Sequence, residues 1–181
     1  MRKQLRPFYT AEELARVYEE PYDHTRWPDH IDRVRHTAEI LHSMDHASVA
    51  DLSCGDGAIV RQAGLTCPVT LGDYNGNWDW TGPIELAIDL IDPVDVFVLS
   101  ETLEHVQDPD NLLRKIRAKA DRLLLSTPCG EVSDENPQHY WGWDAQGIQE
   151  MLSAAMWRPL GNPEMFNPPP HYYTFQIWRC E

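Results

Sequence analysis

Val49-Ala50-Asp51-Leu52-Ser53-Cys54-Gly55-Asp56-Gly57-Ala58-Ile59-Val60 is the stretch on which the fold turns. Val49, Ala50 and Leu52 are apolar and suit a strand in the middle of a sheet, while Gly55 and Gly57 supply a turn where no Cβ blocks a ligand's close approach. The helix that follows, Ile59 to Ala63 with Gly64 as its stop, points its amide groups back at that ligand. A strand, glycine turn and helix in this order mark the carboxyl edge of a parallel strand, where open α/β sheets hold their ligands. A dinucleotide fingerprint begun at Gly55 would need glycine or alanine at Val60.

Downstream, Pro68 to Leu71 reads as a second strand leading into Gly72-Asp73. Asp73 stands about twenty residues past the glycine turn, where a carboxylate can accept both ribose hydroxyls of an adenosine-containing cofactor; alternatively it starts a turn with Asn75-Gly76. The stretch from Tyr74 to Pro83 holds too many turn formers for a full helix, so Trp78 or Trp80 either folds over a ligand or plugs the gap. Ile84 to Leu90 is the third strand expected. Val94 to Leu99 is a nearly continuous apolar run, as in a strand buried on both faces. It ends in Ser100-Glu101-Thr102-Leu103-Glu104-His105-Val106-Gln107-Asp108-Pro109, where Asp108 caps the next helix and Pro109 fits its first turn.

That helix is expected over Leu112 to Ala120, and a fifth strand over Arg122 to Ser126. A loop through Thr127-Pro128-Cys129-Gly130-Glu131 then reaches His139-Tyr140-Trp141-Gly142-Trp143, and Asp144 opens a helix from Ala145 to Met156. Trp157 to Phe166 and His171 to Arg179 read as two strands joined through Asn167 and three prolines, an antiparallel edge hairpin.

Before the glycine turn, Thr10 and Glu13 have capping-box spacing and open a helix from Ala11 to Glu20 that Pro21 stops. After the connector Tyr22 to Pro28, Ile31, Val34, Ala38, Leu41 and Met44 recur at helical spacing. Tyr22, His24 and Trp27 either form a lid over the ligand or glue the two helices together. Residues 1–45 are read as amino-terminal helices and residues 46–181 as the core of a single domain.

The chain has 181 residues, 42% of them hydrophobic, enough for one sizeable core. Its formal net charge of -14 disfavours bulk nucleic acid as a partner. The basic residues Arg114, Lys115, Arg117 and Lys119 fit a solvated helix face. Cys54, Cys67, Cys129 and Cys180 form no C-x-x-C pair, so neither a zinc site nor a disulfide framework is suggested. With no signal-peptide core and no apolar run of membrane-spanning length, a cytoplasmic location is expected.

The phrase Asp51-Leu52-Ser53-Cys54-Gly55-Asp56-Gly57 resembles motif I of the class I S-adenosylmethionine-dependent methyltransferases, with Ser53 in place of the first glycine. Glu101 to Pro109 is similar to the E-x-L-E-H-x-x-D-P phrase after strand four in the branch of the ubiquinone-biosynthesis O-methyltransferases (type 11/23). The phrase LLLSTPCGE resembles that family's strand-five exit, and His139 with Trp143 matches a further family pattern. The resemblance implies an α/β, Rossmann-like fold: a mostly parallel seven-stranded sheet, helices on both faces and a terminal antiparallel hairpin. It implies S-adenosylmethionine as cofactor, with Gly55 and Gly57 at its methionine portion, Asp73 at the ribose and Asp89 with Leu90 at the adenine. Asp51, Ser53, Tyr74 and Ser100 are the other cofactor-binding residues expected.

Methyl transfer from a sulfonium is an in-line displacement, and positioning alone can supply roughly 7–11 kcal/mol. A hydroxyl acceptor needs a base, and neutral imidazole at His105 or His139 suits it; His105 alternatively holds the loop. Glu101 orients the cofactor or accepts from a small-molecule substrate. Glu101, Glu104, His105 and His139 also resemble the metal-binding set of methyltransferases that act on the terminal 2′-hydroxyl of small RNAs, where oxygen and imidazole ligands suit manganese or magnesium. A third alternative is a non-catalytic partner subunit that binds the cofactor.

Overall fold

The computed structural model describes residues 1–130 and 136–181. Glu131 and part of the expected loop to His139 lie outside the described residues. The elements are β1 (Arg2–Gln4), α1 (Ala11–Val17), α2 (Pro28–Ser43), β2 (Val49–Asp51), α3 (Ala58–Ala63), β3 (Val69–Asp73), β4 (Trp80–Thr81) and α4 (Ile84–Leu90). Then follow β5 (Val94–Ser100), a 3-10 turn (Leu103–His105), α5 (Pro109–Arg117), β6 (Ala120–Pro128), β7 (Trp141–Trp143), α6 (Ala145–Ala154), β8 (Glu164–Phe166) and β9 (Phe175–Cys180).

One seven-stranded sheet carries the order β4-β3-β2-β5-β6-β9-β8. The pairs from β4 to β6 are parallel, and β9 runs antiparallel to both β6 and β8. This is the expected mostly parallel sheet with an antiparallel hairpin at its edge. Val96, Phe97, Val98 and Leu99 of β5 are all buried, because two apolar layers cover the sheet. On one face Leu52, Phe97 and Leu99 pack with residues of α4, α5 and α6; on the other, Val49, Val96 and Val98 pack with Val34, Ala38 and Leu41 of α2 and Ile59 of α3.

Three expectations change. Ile84 to Leu90 is a helix, not a strand: Ile84, Ala87, Ile88 and Ile91 are buried at spacings of three, four and seven, while Leu86 and Leu90 face solvent. The third strand of the sheet is instead the short β4, within the stretch read as too rich in turn formers for a full helix, where Gly72 and Asp73 pair with Trp80 and Thr81. Arg2–Gln4, assigned to no element from the sequence, pairs antiparallel with Trp141–Trp143. The terminal strands are also shorter than expected, β8 beginning at Glu164 and β9 at Phe175.

Candidate functional site

At the carboxyl ends of the parallel strands lies a cavity of about 550 Å³, within the range of small-molecule sites. Its wall on the β2 side is the glycine turn. Gly55 and Gly57 have left-handed φ values of +56° and +74°, which side chains with a Cβ rarely adopt. The turn is tied to the next strand through Asp73, whose carboxylate accepts from the amides of Gly55 and Tyr74, each at 2.7 Å. A carboxylate has about four acceptor sites, so Asp73 keeps capacity for a ligand's hydroxyls. Burial raises its pKa.

Asp51, at the end of β2, is fully buried and accepts from the Ser53 amide at 3.1 Å. Burial, with the Asp73 charge adding to it, pushes the Asp51 carboxyl up to about 7. Between pH 4 and 7, roughly, the folded chain holds a proton that the unfolded chain has released, so Asp51 costs stability as pH rises through that window. Asp51→Asn, which mimics the protonated acid, is expected to be more stable relative to wild type at pH 8 than at pH 5, by on the order of 2–4 kcal/mol. Urea unfolding at both pH values checks this, and an unchanged difference would contradict it.

The strap between α1 and α2 closes the cavity over the turn. His24 Nδ1 is 2.7 Å from Asp56 Oδ1, and a Cβ placed on Gly55 would lie 2.6 Å from His24 Cε1 and 3.0 Å from the Tyr22 carbonyl oxygen. The space opened by the missing Cβ of Gly55 is thus taken by the strap. Tyr22 and His24 line the cavity, as a lid would; Trp27 does not, being 45% exposed. Burial, then the Arg33 charge, lowers the pKa of His24. Trp78 lies against Gly57 and Gly76, and Trp80 packs on the core; both fill the gap rather than face the cavity.

The β5 exit forms the opposite wall. Arg33 Nη1 donates to Ser100 Oγ at 2.7 Å, Ser100 Oγ lies 2.8 Å from Ser126 Oγ, and Ser126 Oγ donates to Glu101 Oε1 at 2.8 Å. Because the Ser126 proton goes to Glu101, Ser100 donates to Ser126, and the chain runs in one direction. The Thr102 hydroxyl donates to Ser53 Oγ at 2.7 Å, so the serine in the first glycine position joins the two strand exits. Glu101 has a left-handed φ of +51°. Burial raises its pKa, against the pull of Arg33.

Glu104 is 1% exposed. Its Oε2 accepts from Thr127 Oγ1 at 3.0 Å, while Oε1 has no hydrogen-bond partner among the described residues and lies 3.9 Å from His105 Nε2. Burial, then the neighbouring Glu101 charge, raises the pKa of Glu104. His105 Nδ1 is 3.0 Å from the Gln138 carbonyl, so it carries the proton in the neutral ring and leaves Nε2 as an acceptor. The rings of His105 and His139 meet edge to face at 4.7 Å. Glu104, His105 and His139 each offer a ligand atom within 4.8 Å of the others; Glu101, the fourth member of the expected metal set, turns to Ser126 instead.

Of the residues singled out from sequence, Ser53, Gly55, Asp73, Tyr74, Ser100, Glu101, His105 and His139 all line this cavity. Asp51 and Gly57 support the turn from behind. Asp89 and Leu90 do not belong to the cavity: they lie at the far end of α4, where Asp89 pairs with Lys115 at 2.6 Å and Leu90 is exposed. The wall beyond β4 is made by Pro83, Ile84 and Glu85, at the start of that helix. Sequence reading missed Arg33, His30, Tyr173 and Phe175. Asp29, Arg33 and Thr37 recur every four residues on the buried side of α2, and this spacing was the available signal.

No protein-family profile and no curated protein matches the chain by sequence. Solved structures do match. The 1,6-didemethyltoxoflavin-N1-methyltransferase of Burkholderia thailandensis, solved with 1,6-didemethyltoxoflavin and S-adenosylhomocysteine, has a TM-score of 0.69 at 18% identity, covering 97% of this chain and 91% of its own. The N-methyltransferase NodS of Bradyrhizobium japonicum WM9, in complex with S-adenosylhomocysteine, has a TM-score of 0.69 at 12% identity, covering 93% and 96%. A SAM-dependent methyltransferase of Archaeoglobus fulgidus has a TM-score of 0.68 at 13% identity, covering 86% and 96%. The fold is therefore that of the class I methyltransferases, including its terminal antiparallel strands.

Proposed function

We propose that the protein transfers a methyl group from S-adenosylmethionine to a small-molecule acceptor. The observation that carries this reading is that one cavity joins the glycine turn and Asp73 to Glu101, His105 and His139. The first three strand exits take the cofactor, with its adenine beside Ile84 and Glu85, its ribose on Asp73 and its sulfonium near Gly55 and Ser53. The acceptor enters on the side of His105, His139, Tyr140 and Tyr173, whose aromatic rings suit a flat organic molecule. Structures of the same fold solved with S-adenosylhomocysteine support the choice of cofactor.

In this reading the walls align the acceptor with the methyl group, which accounts for most of the rate. The imidazole pair takes the acceptor's proton, with His105 Nε2 as the accepting atom, and Glu101 orients the reacting groups. His105→Ala and His139→Ala are expected to lower kcat about 10²- to 10⁴-fold and to leave S-adenosylhomocysteine affinity within about threefold. Turnover against a panel of aromatic hydroxyl and amine acceptors, followed as S-adenosylhomocysteine release, tests the reading. No release above background with a protein that binds S-adenosylmethionine would favour the non-catalytic partner instead.

A second reading is favoured by the unpaired Glu104 Oε1 beside the two histidines. Glu104, His105 and His139 fit a divalent cation of the manganese or magnesium type, which would polarise an acceptor hydroxyl such as a terminal ribose 2′-hydroxyl. Activity abolished by chelator and restored by manganese would establish it. Activity unchanged in chelator would exclude it.

A further inference from the structure

We infer that the methyl acceptor is a primary aromatic or heteroaromatic amine, one N–H of which donates to Glu104; this rests on the methyl-transfer reading above. Glu104 is only 1% exposed, yet it lines the cavity. Buried side chains fix its carboxylate from behind. Trp143 Nε1 donates to Thr127 Oγ1 at 2.9 Å, and the Thr127 hydroxyl donates in turn to Glu104 Oε2 at 3.0 Å. The Glu104 carbonyl accepts from the Tyr140 amide at 2.8 Å, which ties the acid to the segment carrying His139 and Tyr140. Oε1 is left without a hydrogen-bond partner among the described residues, 3.9 Å from His105 Nε2. A buried carboxylate oxygen in that state is costly unless a donor reaches it.

The charge of the cavity selects the same class of molecule. Asp73, Glu85, Glu101, Glu104 and Asp108 line it against Arg33 alone among the lysines and arginines of the described residues, so an anionic acceptor is repelled. On the acceptor's side, Glu101 accepts from Ser126 and Asp108 from the Asn111 amide, which leaves Glu104 to meet the incoming molecule. Proton count separates an amine from a hydroxyl. A hydroxyl has one proton and cannot both donate to Glu104 and release a proton to His105, whereas a primary amine can do both. Its lone pair forms the N–C bond as the C–S bond breaks, with that electron pair going to sulfur. One nitrogen proton then passes to His105 Nε2, and the other stays on Glu104 Oε1.

The test uses matched sets on one ring: aniline, phenol, toluene and benzoate, then the 6-amino, 6-hydroxy, 6-methyl and 6-carboxylate quinolines. Each is titrated in chelator into wild type and Glu104→Gln loaded with S-adenosylhomocysteine, and each is assayed with S-adenosylmethionine for S-adenosylhomocysteine release. In at least one set wild type is expected to bind the amine about 10- to 100-fold more tightly than the methyl compound, and to turn over the amine faster than the hydroxyl compound. Glu104→Gln is expected to weaken the amine about 10-fold and to leave the methyl compound within about threefold. Wild type that binds the amines no better than the methyl compounds, or that prefers the hydroxyl or carboxylate members, would overturn the assignment without any variant. So would a folded Glu104→Gln that keeps the preference, or binding and turnover that return only when manganese is added, since the cation would then occupy Glu104. Amines bound tightly but never methylated would overturn the methyl-transfer reading, and the assignment of an acceptor with it.

Discussion

Asp73→Ala is expected to weaken S-adenosylhomocysteine binding at least about 100-fold. Hydrogen bonds to a charged group contribute about 1.5–3 kcal/mol each, and a ribose offers two hydroxyls to the carboxylate. The substitution also removes the acceptor for the amides of Gly55 and Tyr74, which loosens the turn. Against that, it removes a carboxyl whose pKa burial already raises, so its desolvation cost disappears and the chain stays folded. Calorimetric titration of wild type and variant, each with a thermal melt, measures the two effects separately. Unchanged affinity would remove Asp73 from the site.

Gly55→Ala is expected to reduce cofactor binding about 30-fold or more by displacing the strap. At a φ of +56° an added Cβ costs about 1–2 kcal/mol in backbone strain alone. It would also lie 2.6 Å from His24 and 3.0 Å from the backbone oxygen of Tyr22, so either the strap or the turn must move. Gly64 is the control. Its φ is +61° but nothing lies within 4 Å of the place its Cβ would take, so Gly64→Ala should lower stability and leave affinity unchanged. Adding His24→Ala to Gly55→Ala should restore only part of the binding, because the Tyr22 carbonyl remains. Equal affinities for Gly55→Ala and wild type would show that the strap is no part of the site.

The features legible in the sequence are local ones. The strand and glycine turn at Val49–Gly57, the buried run at Val94–Leu99 and the acidic residue ending β3 each depend on a few neighbouring residues, and each stands where expected. Ile84–Leu90 misled because a seven-residue apolar stretch fits either period, and only the burial of Ile84, Ala87, Ile88 and Ile91 reveals the helical one. With the strand went Asp89 and Leu90. The two-residue β4 has no pattern of its own and exists through pairing with β3, just as β1 exists through pairing with β7. Arg33 belongs to the same class of miss. Its meaning lies in where α2 meets β5, a contact between residues 67 positions apart.

The most direct test of the central claim is a calorimetric titration of the wild-type protein, freed of any bound cofactor, with S-adenosylhomocysteine. Saturable binding of one molecule per chain, weakened in Asp73→Ala as stated above, is the expected result. A folded protein that gives no binding would contradict the methyltransferase reading.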